Sequence, residues 1–411
     1  MNSPSPDLPL TASLASHAAT ARQQILERAD AGLTATLAGQ MSEPAVAGQV
    51  ERVLACSPFI ADLGRRRPQL LSDLLESGQL HSSLPEKQFR EDLVARLDAP
   101  GADLHRVLRQ FRQWHMLRIV WRDFCRLADT RETIRDTSLL AEACIAEALA
   151  RCHATLQERF GEPRGAQSGE PQSLIVLGMG KLGARELNIS SDIDLIFTYP
   201  EAGTTEGGRK SISNEQFFTK LGQQLIASLD QVTAEGFVFR VDMRLRPYGE
   251  SGALVHNFAA LEEYYEDQGR DWERYALIKA RPLTGSPRKA VQLMRALRPF
   301  VYRRYIDFGV IESLRGMKQM INAEVTRRGL EDDVKLGHGG IREVEFIAQC
   351  FQLIRGGRDR GLQQRELLAV LRECALLGYL PAPVAEELTR AYLFLRDTEH
   401  AIQGFQDRQS Q

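Results

Sequence analysis

Residues 173–200 read SLIVLGMGKLGARELNISSDIDLIFTYP, and this stretch decides the fold. SLIVLGMG is a short apolar run that ends in glycines, the pattern of a buried strand entering a tight turn. DIDLIFTYP predicts a second strand. Side chains alternate along a strand with period two, so Asp192 and Asp194 project to the same face. Downstream, GFVFRVDMRLRP (236–247) predicts a third strand, with Phe237, Phe239 and Val241 on one side and Val238, Arg240 and Asp242 on the other. If that strand lies beside the second, Asp242 completes a cluster of three carboxylates. Such a cluster repels itself unless a divalent cation neutralises it. Mg²⁺ suits the role, because it takes a few carboxylates together with phosphate oxygens.

The turn between the first two strands, GMGKLG, carries Gly178, Gly180 and Lys181 and runs into a short helix, LGARELN. Glycines let the backbone approach a phosphate, and a helix start offers free N–H groups. The spacing is formally that of the dinucleotide fingerprint, but no acidic residue ends a second strand about 20 residues on. A P-loop is also excluded, since no Gly-Lys-Ser/Thr occurs. A D-x-D pair alone is often two surface acids. Glycine turn, D-x-D strand and a later strand carrying Asp242 together point to a nucleotide-phosphate site.

Around this constellation, Ser190 and Ser191 either cap the turn or touch the nucleotide. Arg244 and Arg246 are expected to alternate out from the strand face of Asp242 and grip phosphate with guanidinium forks, or else to pair with Glu250 or Glu273. Lys279, sharing an edge with Arg281, is a further candidate for phosphate. His338, between glycines, reads as a turn residue and Trp272 as core.

Working outward, residues 15–157 are helical in pattern. The clearest helix is LHRVLRQFRQWHMLRIVWRDF, with Leu104, Val107, Leu108, Phe111, Trp114, Leu117, Val120 and Trp121 forming one apolar stripe. Arg106, Arg109, Arg112, Arg118 and Arg122 fall mostly off it, as a solvated or ion-paired row. Residues 161–172 and 201–214 read as loops. A helix follows with Ser213 as its N-cap, and helices return beyond residue 258. The expected domains are a helical region over 1–160, a catalytic sheet domain over 161–290 and a helical bundle over 291–411. The chain stops within a helical pattern, which suggests a piece of a longer protein.

The 411 residues are 43% hydrophobic and 26% charged, the balance of a folded globular chain. A net charge of −2 argues against a protein that coats nucleic acid. Six scattered cysteines without C-x-x-C pairs argue for reduced thiols rather than zinc or disulfides. No apolar run reaches the ~18 residues that span a bilayer, and the N-terminus lacks a basic segment followed by an apolar core. The cytoplasm is the expected compartment.

LIVLGMGKLGARELNISSDIDLIFTY resembles the signature of the bifunctional glutamine synthetase adenylyltransferase/adenylyl-removing enzymes. FRVDMRLRPYGESGALV, WERYALIKARPLTG and VKLGHGGIREVEFIAQ match that family in the same order, and LRQFRQWHMLRIVWRDF extends the likeness into the helical lead-in. Family members carry two related units in tandem, and this chain is similar to the N-terminal one. The resemblance implies an α+β architecture: a polymerase-beta-like nucleotidyltransferase mixed-sheet domain flanked by helical domains. It implies removal of AMP from a tyrosine of adenylylated glutamine synthetase by phosphorolysis, with Mg²⁺, orthophosphate consumed and ADP released. It also implies control by the PII signal protein, and a second unit in the full-length enzyme that adenylylates glutamine synthetase from ATP. Asp192, Asp194 and Asp242 would be the metal ligands and catalytic carboxylates. The superfamily usually has Gly-Ser at the turn where this chain has Gly180–Lys181, so the lysine charge would replace a hydroxyl. Two alternatives are a PII uridylyltransferase, favoured by an HD metal motif that is not seen here, and a non-catalytic nucleotide-binding regulatory module.

Overall fold

A computed structural model describes residues 10–303 and 308–407. Residues 1–9 of the stretch read above for a leader, and 408–411 at the end of the last helical pattern, lie outside them. The described chain is an α+β protein, mostly helical, with two small sheets.

The main sheet is built on β2 (Ile175–Gly178) and β3 (Ile193–Tyr199), paired antiparallel. β7 (Arg281–Pro282) extends it beyond β2. The other edge of β3 is shared by two short parallel strands, β5 (Val241–Asp242) at its start and β6 (Val255–Asn257) at its end. Alternation sends the side chains to two cores. Val176, Ile193, Leu195 and Phe197 pack with the N-terminal helices, while Ile175, Leu177 and Ile196 pack with helices that follow residue 258. Cover on both faces explains why these strands read as continuous apolar runs. Asp194 shares its parity with Ile196, so it faces the C-terminal helices.

Two expectations need correction here. The third strand is only two residues long, because Val238 and Phe239 turn into the core and both donate their N–H groups to the Leu229 carbonyl instead of to β3. The segments read as loops pair with each other: β1 (Gly161–Gly165) lies antiparallel to β4 (Gly203–Gly207) as a separate ribbon. Glycine and polar content hid this short ribbon, whose strands also bond the adjoining turns, as the Gln172 N–H does the Pro163 carbonyl and the Thr205 N–H the Ile212 carbonyl.

The Leu104–Phe124 helix forms as expected, capped by Asp103 through the Arg106 N–H. Its arginine row is not a solvated face. Arg106 is exposed, but Arg109, Arg112, Arg118 and Arg122 are buried. Arg109 bonds the carbonyls of Gly236 and His105, Arg118 meets Asp136 at 2.9 Å, and Arg122 meets Glu132 at 2.7 Å. The helix is therefore enclosed, and burial is tolerated because each guanidinium has acceptors. The Asn214–Asp230 helix begins at Ser213 with a capping box closed by Gln216.

The Ala382–Gln406 helix ties the parts together. Its Gly404 carbonyl accepts from Ser57 Oγ at 2.6 Å, and His400 Nδ1 lies 3.1 Å from Asp123. Its Glu399 reaches the glycine turn at Lys181. Among the described residues, no helix is long and apolar enough to cross a membrane.

Candidate active site

The glycine turn and the D-x-D strand meet at the start of β3. The Met179 N–H donates to the Asp194 carbonyl at 2.9 Å, and the Gly180–Gly183 helical turn follows directly. Gly180 has φ +50°, and a Cβ there would sit 2.8 Å from Asp194 Oδ2. A side chain at this position would be strained and would press on the carboxylate. A Cβ on Gly183 would overlap the carbonyl oxygen of Lys279, so the turn can pack against that segment only as glycine. Gly178 closes β2 against Leu283 and does not line the cleft described below.

The three aspartates come together at the sheet edge. Asp194 on β3 stands in register with Asp242 on β5, which puts their Cα atoms on neighbouring parallel strands about 5 Å apart. Asp192 immediately precedes β3, and its Oδ1 accepts from Arg240 Nε at 2.6 Å. Arg240 also donates to the Ser190 carbonyl at 2.6 Å and to Ser190 Oγ at 3.1 Å. Ser190 is buried, with its N–H bonded to Gln403 Oε1, and both Ser190 and Ser191 line the cleft. Asp242 accepts from the Arg244 side chain at 2.5 and 2.8 Å and from the Arg244 N–H at 2.8 Å.

The charges respond to this crowding. Burial, then Asp242 and Asp192, push the Asp194 carboxyl up from 3.8 to about 6. Burial opposes ionisation of Asp242 too, but the hydrogen bonds and charge of Arg244 outweigh it and hold that carboxyl below its ordinary value. Among the described residues, no three His, Cys, Asp or Glu side chains stand in metal-holding geometry. Asp192 and Asp242 are each turned onto an arginine, so a cation would have to displace those arginines.

The basic residues expected at phosphate divide. Arg244 lines the cleft, but it lies in the turn after β5 and not on a strand. Arg246 does not line the cleft, and the expectation that it aims toward the aspartates fails. Its guanidinium is held by the carbonyls of Met243, Gly252 and Glu250, because the chain turns where alternation along a strand was assumed. Lys181 lines the cleft and contacts both oxygens of Glu399, at 3.2 and 3.3 Å. Burial and nearby Arg396 lower its ammonium to about 7 in spite of Glu399. Lys279 is 7% exposed and sits between Glu186 at 3.0 Å and Glu345 at 2.8 Å. Burial works against its charge, but the two carboxylates outweigh that and raise its pKa. Arg281, on β7, bonds Glu142 and the carbonyls of Leu182 and Gly183.

These groups open onto a cleft of about 690 Å³. Apolar and aromatic side chains also line it: Leu245, Trp272, Tyr275, Ala276, Met317 and Ile321. Trp272 is 39% exposed there, so its assignment to the core is corrected. It sits near the start of the short Asp271–Leu277 helix, where the buried positions are Glu273, Arg274 and Leu277. Lys335, Arg342, Glu345, Gln349 and Gln403 complete the rim. Sequence reading missed all five. For the first four the signal was the VKLGHGGIREVEFIAQ block, in which attention fell on His338; Gln403 lies outside it, on the Ala382–Gln406 helix. His338 itself is an exposed turn residue.

Residues 47–296 match the family model of glutamate-ammonia ligase adenylyltransferase, and residues 315–411 match that of GlnD PII-uridylyltransferase. A bifunctional glutamine synthetase adenylyltransferase/adenylyl-removing enzyme of Pseudomonas aeruginosa is 58% identical over 362 residues, 88% of this chain and 37% of the relative. Relatives of the same name from Pseudomonas putida and Thioalkalivibrio sulfidiphilus are 54% and 55% identical, over 95% and 87% of this chain and 40% and 37% of their own length. The chain thus spans about two fifths of the length of these relatives. The first family model covers both the glycine turn and all three aspartates, and the chain belongs to the glutamate-ammonia ligase adenylyltransferase family.

Proposed function

We propose that this chain is the adenylyl-removing unit of a bifunctional enzyme, taking AMP from a tyrosine of glutamine synthetase by phosphorolysis and releasing ADP. The observation that carries the reading is the grouping of Asp192, Asp194 and Asp242 beside a glycine turn on a cleft rimmed with cations, in a chain of this family. The rest of the full-length protein would hold the unit that adenylylates from ATP, and PII signal protein would set the balance between them in the cytoplasm.

The donor set suits Mg²⁺. It consists of hard carboxylate oxygens, and burial together with the neighbouring Asp242 and Asp192 drives Asp194 toward protonation. Asp192, Asp194 and Asp242 would hold the ion, which when bound supplies charge neutralisation to phosphate oxygens. The chain's own residues do the positioning. Gly180 leaves room for a phosphate against Asp194, Arg240 and Gln403 fix the Ser190 backbone, and Arg244 stands at the open side of Asp242. The apolar lining that includes Trp272 offers a surface for an adenine ring. The leaving group is a phenol of pKa near 10, so a tyrosyl phosphodiester is far more reactive than an alkyl one. Positioning and charge can therefore carry the reaction.

The test is incubation of adenylylated glutamine synthetase with this chain and Mg²⁺, with and without orthophosphate. Phosphate-dependent release of ADP supports the reading, and no release from folded protein rejects it. A second reading, nucleotidyl transfer on a PII protein, is favoured by the match of residues 315–411. That stretch holds none of the three aspartates, and transfer of a uridylyl group from UTP onto PII would be its sign.

A further inference from the structure

The loop that precedes the Ile341–Arg355 helix is tightly built. The N–H groups of Lys335 and Leu336 both donate to Asp333 Oδ1, at 2.9 and 2.7 Å. The Ile341 N–H returns to the Val334 carbonyl at 3.0 Å, and the Arg342 N–H to the Lys335 carbonyl at 3.1 Å. A Cβ on Gly340 would lie 2.8 Å from the Val334 oxygen, so this close return requires glycine. The loop thereby holds Lys335 and Arg342 as neighbours, and both line the cleft of the three aspartates.

These two cations differ from the others on the cleft wall. Lys181 is paired with Glu399, Lys279 with Glu186 and Glu345, and Arg244 with Asp242. Among the described residues, Lys335 and Arg342 make no ion pair with a carboxylate, although the charge of Lys335 is felt at Asp194 and Glu399. Phosphorolysis brings a second anion into a cleft already crowded with carboxylates and a phosphodiester. That anion needs uncommitted positive charge, placed so that attack is in line with the departing tyrosine oxygen.

We propose that Lys335 and Arg342 bind the attacking orthophosphate and keep the same group as the β-phosphate of ADP. The proposal rests on the phosphorolysis reading above. An oxygen of hydrogenphosphate forms the new bond to the adenylyl phosphorus. The bond from phosphorus to the tyrosine oxygen breaks, its electron pair stays on that oxygen, and the hydrogenphosphate proton ends there. The products are ADP and neutral tyrosine. A guanidinium fork can span two phosphate oxygens while the ammonium acts as a point charge beside it.

The experiment compares this chain with its Lys335→Met, Arg342→Met and Lys335→Arg variants, varying orthophosphate against adenylylated glutamine synthetase. Each Met variant is expected to raise the KM for orthophosphate about tenfold or more, the effect of losing one charged hydrogen bond. The KM for the adenylylated protein should stay near wild type, as should Tm, and Lys335→Arg should recover most of the loss. Equilibrium dialysis with ³²P-orthophosphate reads the same site without turnover, and binding should weaken about as much in each Met variant. Unchanged KM and unchanged binding in folded variants overturn the proposal. A rise confined to the KM for the adenylylated protein also overturns it, assigning these cations to protein docking. A wild type that releases AMP without phosphate contradicts phosphorolysis itself, and dialysis then judges the anion site alone.

Discussion

Lys279→Met separates a structural lysine from a phosphate ligand. The ammonium is buried between Glu186, 4% exposed, and Glu345, 14% exposed, and Glu186 also accepts the Leu367 N–H at 2.7 Å. Removing the lysine takes the direct ion-pair partner from two buried carboxylates, and breaking one buried pair costs about 3–5 kcal/mol. Glu345 gives a second route to the magnitude. Burial opposes its ionisation, but Lys279 and Lys181 hold its carboxyl down, from 4.5 to about 2. That difference corresponds to roughly 3 kcal/mol of stability. Because the folded value is depressed, this stability is present above about pH 4.5 and fades as pH falls toward 2. In Lys279→Met burial is opposed only by Lys181 and Arg396, so the carboxyl moves back toward its protonated form. The variant should therefore lose about 3–5 kcal/mol at pH 8 and distinctly less near pH 4.5. Urea denaturation followed by tryptophan fluorescence at the two pH values measures this, and Glu345→Gln in the Lys279→Met background should restore part of the loss. Wild-type midpoints at both pH values, with only a raised KM for orthophosphate, would refute the reasoning and return Lys279 to the phosphate site.

Asp194→Asn should abolish nucleotide release yet stabilise the metal-free chain. The folded carboxyl is raised to about 6, so its penalty is absent near pH 4 and complete above pH 6. The advantage of the variant should grow to about 3 kcal/mol over that window, and saturating Mg²⁺ should reverse the order of stability. Gly183→Ala should cost several kcal/mol, because the new methyl meets the Lys279 backbone and not a movable side chain. Thermal unfolding checks it, and a Tm within a degree of wild type would show that the turn can shift.

The main sheet was legible because β2 and β3 are covered on both faces, and apolar runs broken by glycine leave few other readings. Asp192 and Asp194 were legible for the same reason, being the two acids at the head of a strand otherwise buried. The third strand was overread. Alternation over residues 237–242 looked like pleating, but Val238 and Phe239 go to the core and only Val241 and Asp242 pair with β3. The error carried Arg246 into the site. Burial of the arginines on the Leu104–Phe124 helix was invisible too, since their acceptors are carbonyls and acids distant in sequence, such as Gly236 and Asp136. Trp272, Lys335 and Arg342 share that limit: only the packing of helices after residue 258 against the Asp194 face of the sheet brings them to the cleft.

The central claim is that the aspartate cleft transfers an adenylyl group to orthophosphate. The direct measurement is chromatography of the nucleotide that wild-type chain releases from adenylylated glutamine synthetase in the presence of Mg²⁺ and ³²P-orthophosphate. The account predicts ADP carrying the label in its β-position. Unlabelled AMP as the product would contradict it.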